Sequence, residues 1–207
     1  MVEWADTEPG PGLSGRVRAY TGYREELGAP VQRRETPAGE LTLIVSFGDG
    51  FWAQAGRGDS ELSAFTSFVA GIADRPARTA HDGRQLGIQV RLDPLGAFSL
   101  LGVPLHELAN RVVELGDLLG RDAERWAGRL GETPGWPKRF AVLEGLLGER
   151  MAAGPAPSPQ VAAAWRVMRR AGGAVRVADL VAAAGCSHRH LVAGFREQIG
   201  ATPKTAA

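Results

Sequence analysis

The chain has 207 residues, of which 44% are apolar and 23% charged, as in an ordinary globular protein long enough for one sizeable domain and a small one. Its single cysteine, Cys186, excludes an internal disulfide framework and any multi-cysteine metal site. The net charge is +1, no apolar run reaches the roughly 18 residues of a membrane helix, and the acidic start has no signal-peptide pattern, so we expect a cytoplasmic protein with no membrane partner.

The first half of the chain has the pattern of short β-strands. Residues 1–12 resemble a flexible lead, and from Ser14 apolar and polar residues alternate with the period of two typical of half-buried strands. Residues 41–47 are the strongest candidate, and residues 51–54 would return as their hairpin partner after a Gly-Asp-Gly turn. Residues 27–32 are expected to be a turn and the entry to a strand, and further strands are expected over residues 63–70 and 86–92. Such a series of short strands favours a small barrel or sandwich.

After Pro94 the pattern changes to that of helices. Segments rich in Ala, Leu, Glu and Arg are bounded by Gly and Pro, which predicts helices over residues 95–101, 105–111, 117–130, 138–151 and 159–171. Three tryptophans in this region are expected to pack between helices, and they are Trp126, Trp136 and Trp165. Residues 152–159, AAGPAPSP, form a short linker stiffened by proline, so we expect a domain boundary there.

The C-terminal segment has the pattern of two short helices joined by a tight turn. Val177, Leu180, Val181 and Ala184 share one face of a first helix, which Gly185 would end. Ser187 is a good N-cap for a second helix, and the side chains behind it at four-residue spacing form its apolar stripe: Leu191, Phe195 and Ile199. This arrangement predicts a helix-turn-helix, although an ordinary helical hairpin has the same shape.

Charge is concentrated at the same end of the chain. Residues 155–207 contain seven Lys and Arg against two acids, whereas the remainder has 17 basic and 21 acidic residues. Binding of Lys and Arg to phosphates releases counterions, so a locally basic module on a nearly neutral chain is typical of a protein that binds double-stranded DNA.

These residues also resemble a known family. The stretch ADLVAAAGCSHRHLVAGFREQIGATPK is similar to the first of the two helix-turn-helix units in transcription regulators of the AraC/XylS type. The resemblance implies that residues 187–199 are the recognition helix, with Arg189, Val192 and Ala193 facing the DNA groove. It places Ser187, His188, Arg196 and Lys204 near phosphates. His190, beside Leu191, would either pack or contact a phosphate.

Residues 35–120 carry a second resemblance. The stretches PAGELTLIVSFGD, SFVAGI and GIQVRLDPLGAFSLLGVPLHELANRVVELGDLLG are similar to the sensor region of an actinobacterial-looking branch of the same regulators. It implies an α+β chain: a cupin-like β-barrel with a helical layer for sensing or dimerisation (residues 13–153), a linker (154–160) and an all-α helix-turn-helix module (161–207).

The family pattern continues beyond the last residue of this sequence. In the family a linker helix and a second helix-turn-helix follow the Gly-x-x-Pro motif, whereas this sequence stops at Ala207. Either the sequence is truncated, which we favour, or each subunit of a homodimer binds with one unit.

A pocket for a small-molecule effector is expected at the barrel mouth. Its candidate residues are Phe47, Trp52, Phe65 and Phe68, with Arg33, Arg34 or Arg91 as a polar contact. For each of these residues the alternative is a core aromatic ring or a solvated arginine. The sequence does not identify the effector.

No catalytic or metal-binding pattern is found. His81 and His106 are far apart in sequence, and His188 and His190 would point about 200° apart on a helix, so they cannot share a metal ion. Cys186 lies in the turn of the DNA motif, and the sequence has no Gly-x-Ser-x-Gly motif. We therefore expect neither an enzyme nor a cofactor.

Two hypotheses follow. The first is a regulator of AraC type that senses a small molecule or dimerises through its N-terminal domain and reads DNA with residues 187–199. The alternative is a cupin-like small-molecule binding protein or enzyme whose C-terminal helices are structural.

Overall fold

The computed structural model describes residues 1–37, 39–54, 56 and 61–206, which form two antiparallel sheets and a set of helices. Within those residues the strands are β1 Val2–Thr7, β2 Val17–Glu26, β3 Val31–Glu35, β4 Leu41–Ser46, β5 Phe51–Ala53, β6 Ser63–Phe65, β7 Phe68–Ala70, β8 Ala77–His81, β9 Arg84–Leu92 and β10 Val112–Glu114. The larger sheet has the order β1-β2-β9-β4-β7-β10, and the smaller has the order β3-β8-β5-β6.

The larger sheet has one apolar face and one mixed face. On β9, the side chains of Ile88, Val90 and Leu92 are fully buried in the main hydrophobic core, while Gln85 and Gln89 point to the opposite face. This alternation follows from the period of two along a strand. The apolar face packs against helices, and the mixed face lies opposite the smaller sheet.

Several predictions about the strands are wrong. The hydrogen-bonded order of each sheet is linear, so the described strands form two facing sheets and not a closed barrel. Residues 51–54 do not pair with residues 41–47, because β5 belongs to the smaller sheet, where it pairs with β6 and β8. Residues 63–70 form two strands, one in each sheet. β3 pairs with β8, and of these two strands the sequence indicated only the entry to β3, at residues 27–32.

The predicted flexible lead at residues 1–12 is also wrong. β1 pairs with β2 along its whole length as an edge strand. The Oε1 atom of Glu3 accepts a hydrogen bond of 2.8 Å from Nε1 of Trp136, and Gly10 N donates to Oε1 of Glu144 at 2.6 Å. These contacts join the start of the chain to the helical layer.

The helical layer covers the apolar face of the larger sheet. Its helices are α1 Pro94–Leu101, α2 Leu115–Leu119, α3 Arg121–Glu132 and α4 Trp136–Ala153. The predicted helix over residues 105–111 is a short 3-10 helix at Leu105–Glu107, after which the chain enters β10. Trp126 and Trp136 are buried in the main core, as the sequence predicts.

The C-terminal helices have a core of their own. They are α5 Pro159–Arg170, α6 Val177–Ala184, α7 His188–Gln198 and α8 Pro203–Ala206. Their buried cluster contains Trp165, Leu180 and Phe195, and two partly buried residues of the N-terminal part, Ile72 and Leu95, pack against it.

The segment between α4 and α5 is packed against both parts of the molecule. A Cβ atom on Gly154 would overlap the carbonyl oxygen of Ser99 in α1. Ser158 N donates a hydrogen bond of 2.8 Å to Oε1 of Gln198 in α7. The residues predicted as a linker are therefore held between the helical layer and the C-terminal helices.

Candidate functional site

The turn between α6 and α7 is fixed by local backbone chemistry. Gly185 ends α6 with a left-handed backbone (φ +63°), and its N–H bonds back to carbonyls in the last turn of that helix. Ser187 begins α7, and its Oγ accepts a hydrogen bond of 3.2 Å from His190 N. The turn residues that the sequence indicated occupy these positions.

The buried side of α7 orients the helix. Leu191, Phe195 and Ile199 are each 0% exposed, and the Phe195 ring lies edge-on to Trp165 with centroids 6.4 Å apart. Because this stripe faces α5 and α6, the opposite side of α7 faces outward.

The outward side of α7 contains most of the predicted DNA contacts. Val192 is half-buried, and the other predicted residues are exposed: Ser187, His188, Arg189, His190, Ala193, Arg196 and Lys204. Arg189, Ala193 and Arg196 follow one another by four and three residues, so they share a helix face, whereas Lys204 lies in α8. Within the described part of the chain, neither Arg189 nor Arg196 forms a salt bridge. This face therefore presents cations that no carboxylate of the described residues neutralises.

A buried carboxylate joins the C-terminal helices to the N-terminal part. Nε1 of Trp165 in α5 donates to both carboxylate oxygens of Asp93 at 3.1 Å. Asp93 also pairs with Nη2 of Arg18 at 2.5 Å and accepts from Leu95 N at 3.1 Å, so it caps α1 as well. The sequence reasoning missed this residue, although an Asp-Pro pair at the end of a predicted strand is a signal for a helix N-cap.

A cavity of about 280 Å³ lies between the two sheets. Its apolar wall includes Ile44, Phe51 and Phe68, and its polar wall includes Tyr23 and Gln85. Arg91, Arg33 and Phe68 were predicted pocket residues and line this cavity. Nε of Arg91 pairs with Oε1 of Glu40 at 2.6 Å.

The other predicted pocket residues lie elsewhere. Phe47 packs on the helix side of the larger sheet, where the Arg139 guanidinium lies 4.9 Å from its ring. Trp52 is 41% exposed, Phe65 contacts Phe68 without lining the cavity, and Arg34 is exposed. The aromatic residues were chosen by type, whereas strand register decides which face each one occupies.

A buried ionic cluster forms one end of the cavity. Nη2 of Arg33 donates to both carboxylate oxygens of Glu25 at 2.6 and 2.8 Å, and Nε2 of His81 lies 3.3 Å from Oε2 of Glu25. Gly83 N donates to Nδ1 of His81 at 3.2 Å, which assigns the imidazole proton to Nε2. Burial and the Arg33 charge lower the pKa of His81 despite the opposing effect of Glu25. Burial likewise raises the pKa of Tyr23.

A second cavity, of about 380 Å³, lies at the junction of the two parts of the molecule. Its wall includes His106 and Asn110 from the N-terminal part and Trp165, Arg196 and Thr202 from the C-terminal part. Arg196 is therefore at the edge of the junction as well as on the outward face of α7.

The described residues hold neither a metal-binding cluster nor a membrane-spanning helix. They contain no group of three or more His, Cys, Asp or Glu side chains placed to hold a metal ion. Over the same residues, every helix is too short or too polar to traverse a lipid bilayer.

Comparison with known families defines the class of the N-terminal part. The family described as "Domain of unknown function (DUF6597)" matches residues 6–114, which comprise the end of β1, strands β2 to β10 and helix α1. The match extends over more than half of the chain, and the chain belongs to this family.

Comparison with individual proteins adds little. No curated protein matches the chain. Among solved structures, the chain is similar to one described as "Crystal structure of the AraC-like transcriptional activator CuxR", at 15% identity and a TM-score of 0.31, over 100% of this chain and 91% of that one. A TM-score this low does not define the fold or function of the present chain.

Proposed function

We propose that this chain is a DNA-binding transcription regulator of AraC type that reads double-stranded DNA with α7. The observation that supports the proposal is the outward face of α7, where Arg189 and Arg196 are exposed and form no salt bridge with any described residue. A capped helix with a buried stripe on one side and unpaired cations on the other has the chemistry that a recognition helix requires. Sequestration of that face by carboxylates of the N-terminal part would have removed the basis for the proposal.

Each residue of the face has a proposed role. The Arg189 guanidinium can donate to O6 and N7 of one guanine, a contact that discriminates among bases by roughly 1–3 kcal/mol. Val192 and Ala193 would contact thymine methyl groups. The remaining polar residues would contact phosphates, and these are Ser187, His188, His190, Arg196 and Lys204.

The N-terminal part would control how α7 is presented to DNA. Its cavity would bind a small-molecule effector, or its surface would form a homodimer, and either event would shift the population between two arrangements of the helix-turn-helix units. In this proposal the protein acts in the cytoplasm, has no cofactor and catalyses no reaction.

The first experiment measures DNA affinity as a function of salt. The chain is titrated with a random-sequence 30-base-pair duplex at several salt concentrations. Arg196→Ala should weaken binding to all sequences and reduce the magnitude of the salt slope by about one, because one phosphate contact is lost. Arg121→Ala serves as the matched control, since Arg121 is exposed at the start of α3, away from α7. A control variant with the same loss would contradict the assignment of α7.

The second experiment measures sequence preference. Duplexes selected from a random pool by the wild-type chain are compared with those selected by Arg189→Ala. The variant should lose preference at one base pair by about 10- to 100-fold, the equivalent of a lost bidentate contact. Unchanged preference would show that Arg189 does not read a base.

A second candidate function rests on the cavity and on the packing of α5. A small-molecule binding protein or enzyme would use the cavity, and its C-terminal helices, held by the Trp165–Asp93 contact, would be structural. The salt titration discriminates between the two, because a slope near zero on random duplex favours this alternative.

A further inference from the structure

The face of the larger sheet that looks into the cavity is more polar than the interior of a two-sheet structure usually is. Side chains between facing sheets normally interdigitate as an apolar core. Here Tyr23 from β2 and Gln85, Gln89 and Arg91 from β9 line the space between the sheets. Polar groups in that position are unfavourable unless each one has a hydrogen-bond partner.

Two of these side chains each have a donor atom without a partner among the described residues. Tyr23 is 4% exposed and Gln85 is 4% exposed. Oη of Tyr23 and Nε2 of Gln85 form no hydrogen bond to any described residue. Both atoms can donate a hydrogen bond, and both residues line the cavity. A buried donor without an acceptor destabilises the folded chain, so the cavity wall is suited to an added acceptor.

Two arginines of the cavity wall are already paired with carboxylates. Arg33 pairs with Glu25, and Arg91 pairs with Glu40. Arg78 and Glu35 are the other charged residues of the described lining, one of each sign. An anionic ligand at Arg33 or Arg91 would therefore have to compete with the carboxylate already there, whereas an uncharged acceptor would not.

We propose that the cavity binds an uncharged small molecule that has an apolar body and one hydrogen-bond acceptor. The acceptor oxygen receives hydrogen bonds from Oη of Tyr23 and Nε2 of Gln85, and the apolar body contacts Ile44, Phe51 and Phe68. At about 280 Å³ the cavity is slightly smaller than a typical ligand pocket, so it suits a molecule of about one ring. The role of this molecule as an effector rests on the proposed function; its binding does not.

The test uses three probes of similar size. Acetophenone has a ring and a neutral carbonyl acceptor, ethylbenzene lacks the acceptor, and benzoate carries a charge. Dissociation constants for the whole chain are measured by ligand-observed saturation-transfer NMR. Acetophenone should bind more tightly than either of the other two probes. Benzoate binding at least as tightly would overturn the proposal, as would the absence of acetophenone binding.

Variants test the two donors. Tyr23→Phe and Gln85→Leu should each weaken acetophenone binding about five- to tenfold, the usual effect of losing one hydrogen bond, with no loss for ethylbenzene. The matched control is Tyr20→Phe, because Tyr20 is also buried with an unpartnered Oη but packs on Phe140 at the helix side of the same sheet. Thermal unfolding of each variant confirms that it is folded. Equal weakening in the control, or none in both cavity variants, would overturn the proposal.

Binding of acetophenone and binding of DNA are measured independently. A chain that binds the probe but has a zero salt slope on DNA would retain the ligand site and refute the regulator. A chain that binds DNA but does not bind acetophenone would retain the regulator and refute the ligand site.

Discussion

His81 shows how the environment of one residue sets its charge. The side chain is 3% exposed, and it lies among Arg33, Glu25 and the neighbouring Asp82. Burial and Arg33 lower its pKa, and the two carboxylates oppose this effect. The imidazole is therefore neutral in the folded chain at neutral pH.

The pKa of His81 predicts a dependence of stability on pH. Above the ordinary value of 6.5, His81 is neutral in both folded and unfolded chains. As the pH falls below 6.5, the unfolded chain binds a proton at this site more readily than the folded chain, so the free energy of unfolding decreases. Urea denaturation between pH 7.5 and 5 should show a shallower decrease for His81→Gln than for the wild type. His106→Gln, which replaces an exposed histidine, should follow the wild type; identical curves for all three proteins would refute the prediction.

Residue types alone identified only part of the cavity wall. Phe68 and Arg91, two of the predicted pocket residues, line the same cavity, whereas Phe47 and Trp52 point to other faces. Glu25 and His81 were missed because they are 56 positions apart in the chain, and only the pairing of β2 with β9 and β3 with β8 brings them together. The signal in the sequence for a polar cavity wall was Gln85 together with the polar residues that alternate with apolar ones over residues 86–92.

Among the elements, α7 packs unusually close to α5 at one point. A Cβ atom on Gly194 would lie 2.6 Å from Cγ2 of Val161, which is buried in the core of the C-terminal helices. A side chain at this position would therefore push α7 away from α5. Glycine is tolerated inside the helix because it permits this approach.

This contact predicts the effect of Gly194→Ala. Overpacking should decrease the free energy of unfolding by about 1–3 kcal/mol, partly offset by the higher helix propensity of alanine, which is worth up to ~1 kcal/mol. Gly145→Ala is the control, since a Cβ atom at this exposed position of α4 meets nothing within 4 Å. Urea denaturation should show a loss for the first variant and a gain for the second. A gain at both positions would contradict the close packing.

The elements that were predicted well are those with local signals. The ends of α6 and α7 follow from Gly185 and Ser187, which act on the backbone of their own helices. β1 and β10 were missed because a short strand gains its stability from a partner that is distant in sequence, here β2 and β7. Alternation within such a strand does not reveal which strand it pairs with.

For the molecule as a whole, the contact between Trp165 and Asp93 is one of those that join the two parts. Trp165→Phe removes the Nε1 donor but keeps a ring against Phe195. The hydrogen bond to a buried carboxylate should contribute about 1.5–3 kcal/mol. Trp126→Phe makes the same change at a buried Trp whose Nε1 has no hydrogen-bond partner among the described residues.

These two variants should therefore differ in stability by about the value of the hydrogen bond. Urea denaturation gives the difference in the free energy of unfolding, and hydrogen exchange should show lower amide protection in α5 for Trp165→Phe only. Equal losses and unchanged protection would mean that the contact does not join the two parts.

The sequence predicted strands and helices for the N-terminal part and helices for the C-terminal part, but not how the two parts are attached. Proline and glycine at residues 152–159 indicated a linker, and within this segment Gly154 lies against α1 and Ser158 bonds to α7. The composition of a segment indicates how stiff the segment is. The contacts that the segment makes depend instead on residues distant in sequence, here Ser99 and Gln198.

The position of Asp93 has a consequence for engineering. Asp93 directly follows β9, the strand that supplies Gln85 and Gln89 to the cavity wall, and its carboxylate holds α5. A chimera joined at Pro155 that places these C-terminal helices on a foreign N-terminal half leaves the Trp165 indole without its acceptor. A functional graft must therefore also transplant an acidic residue at the end of the recipient's corresponding strand.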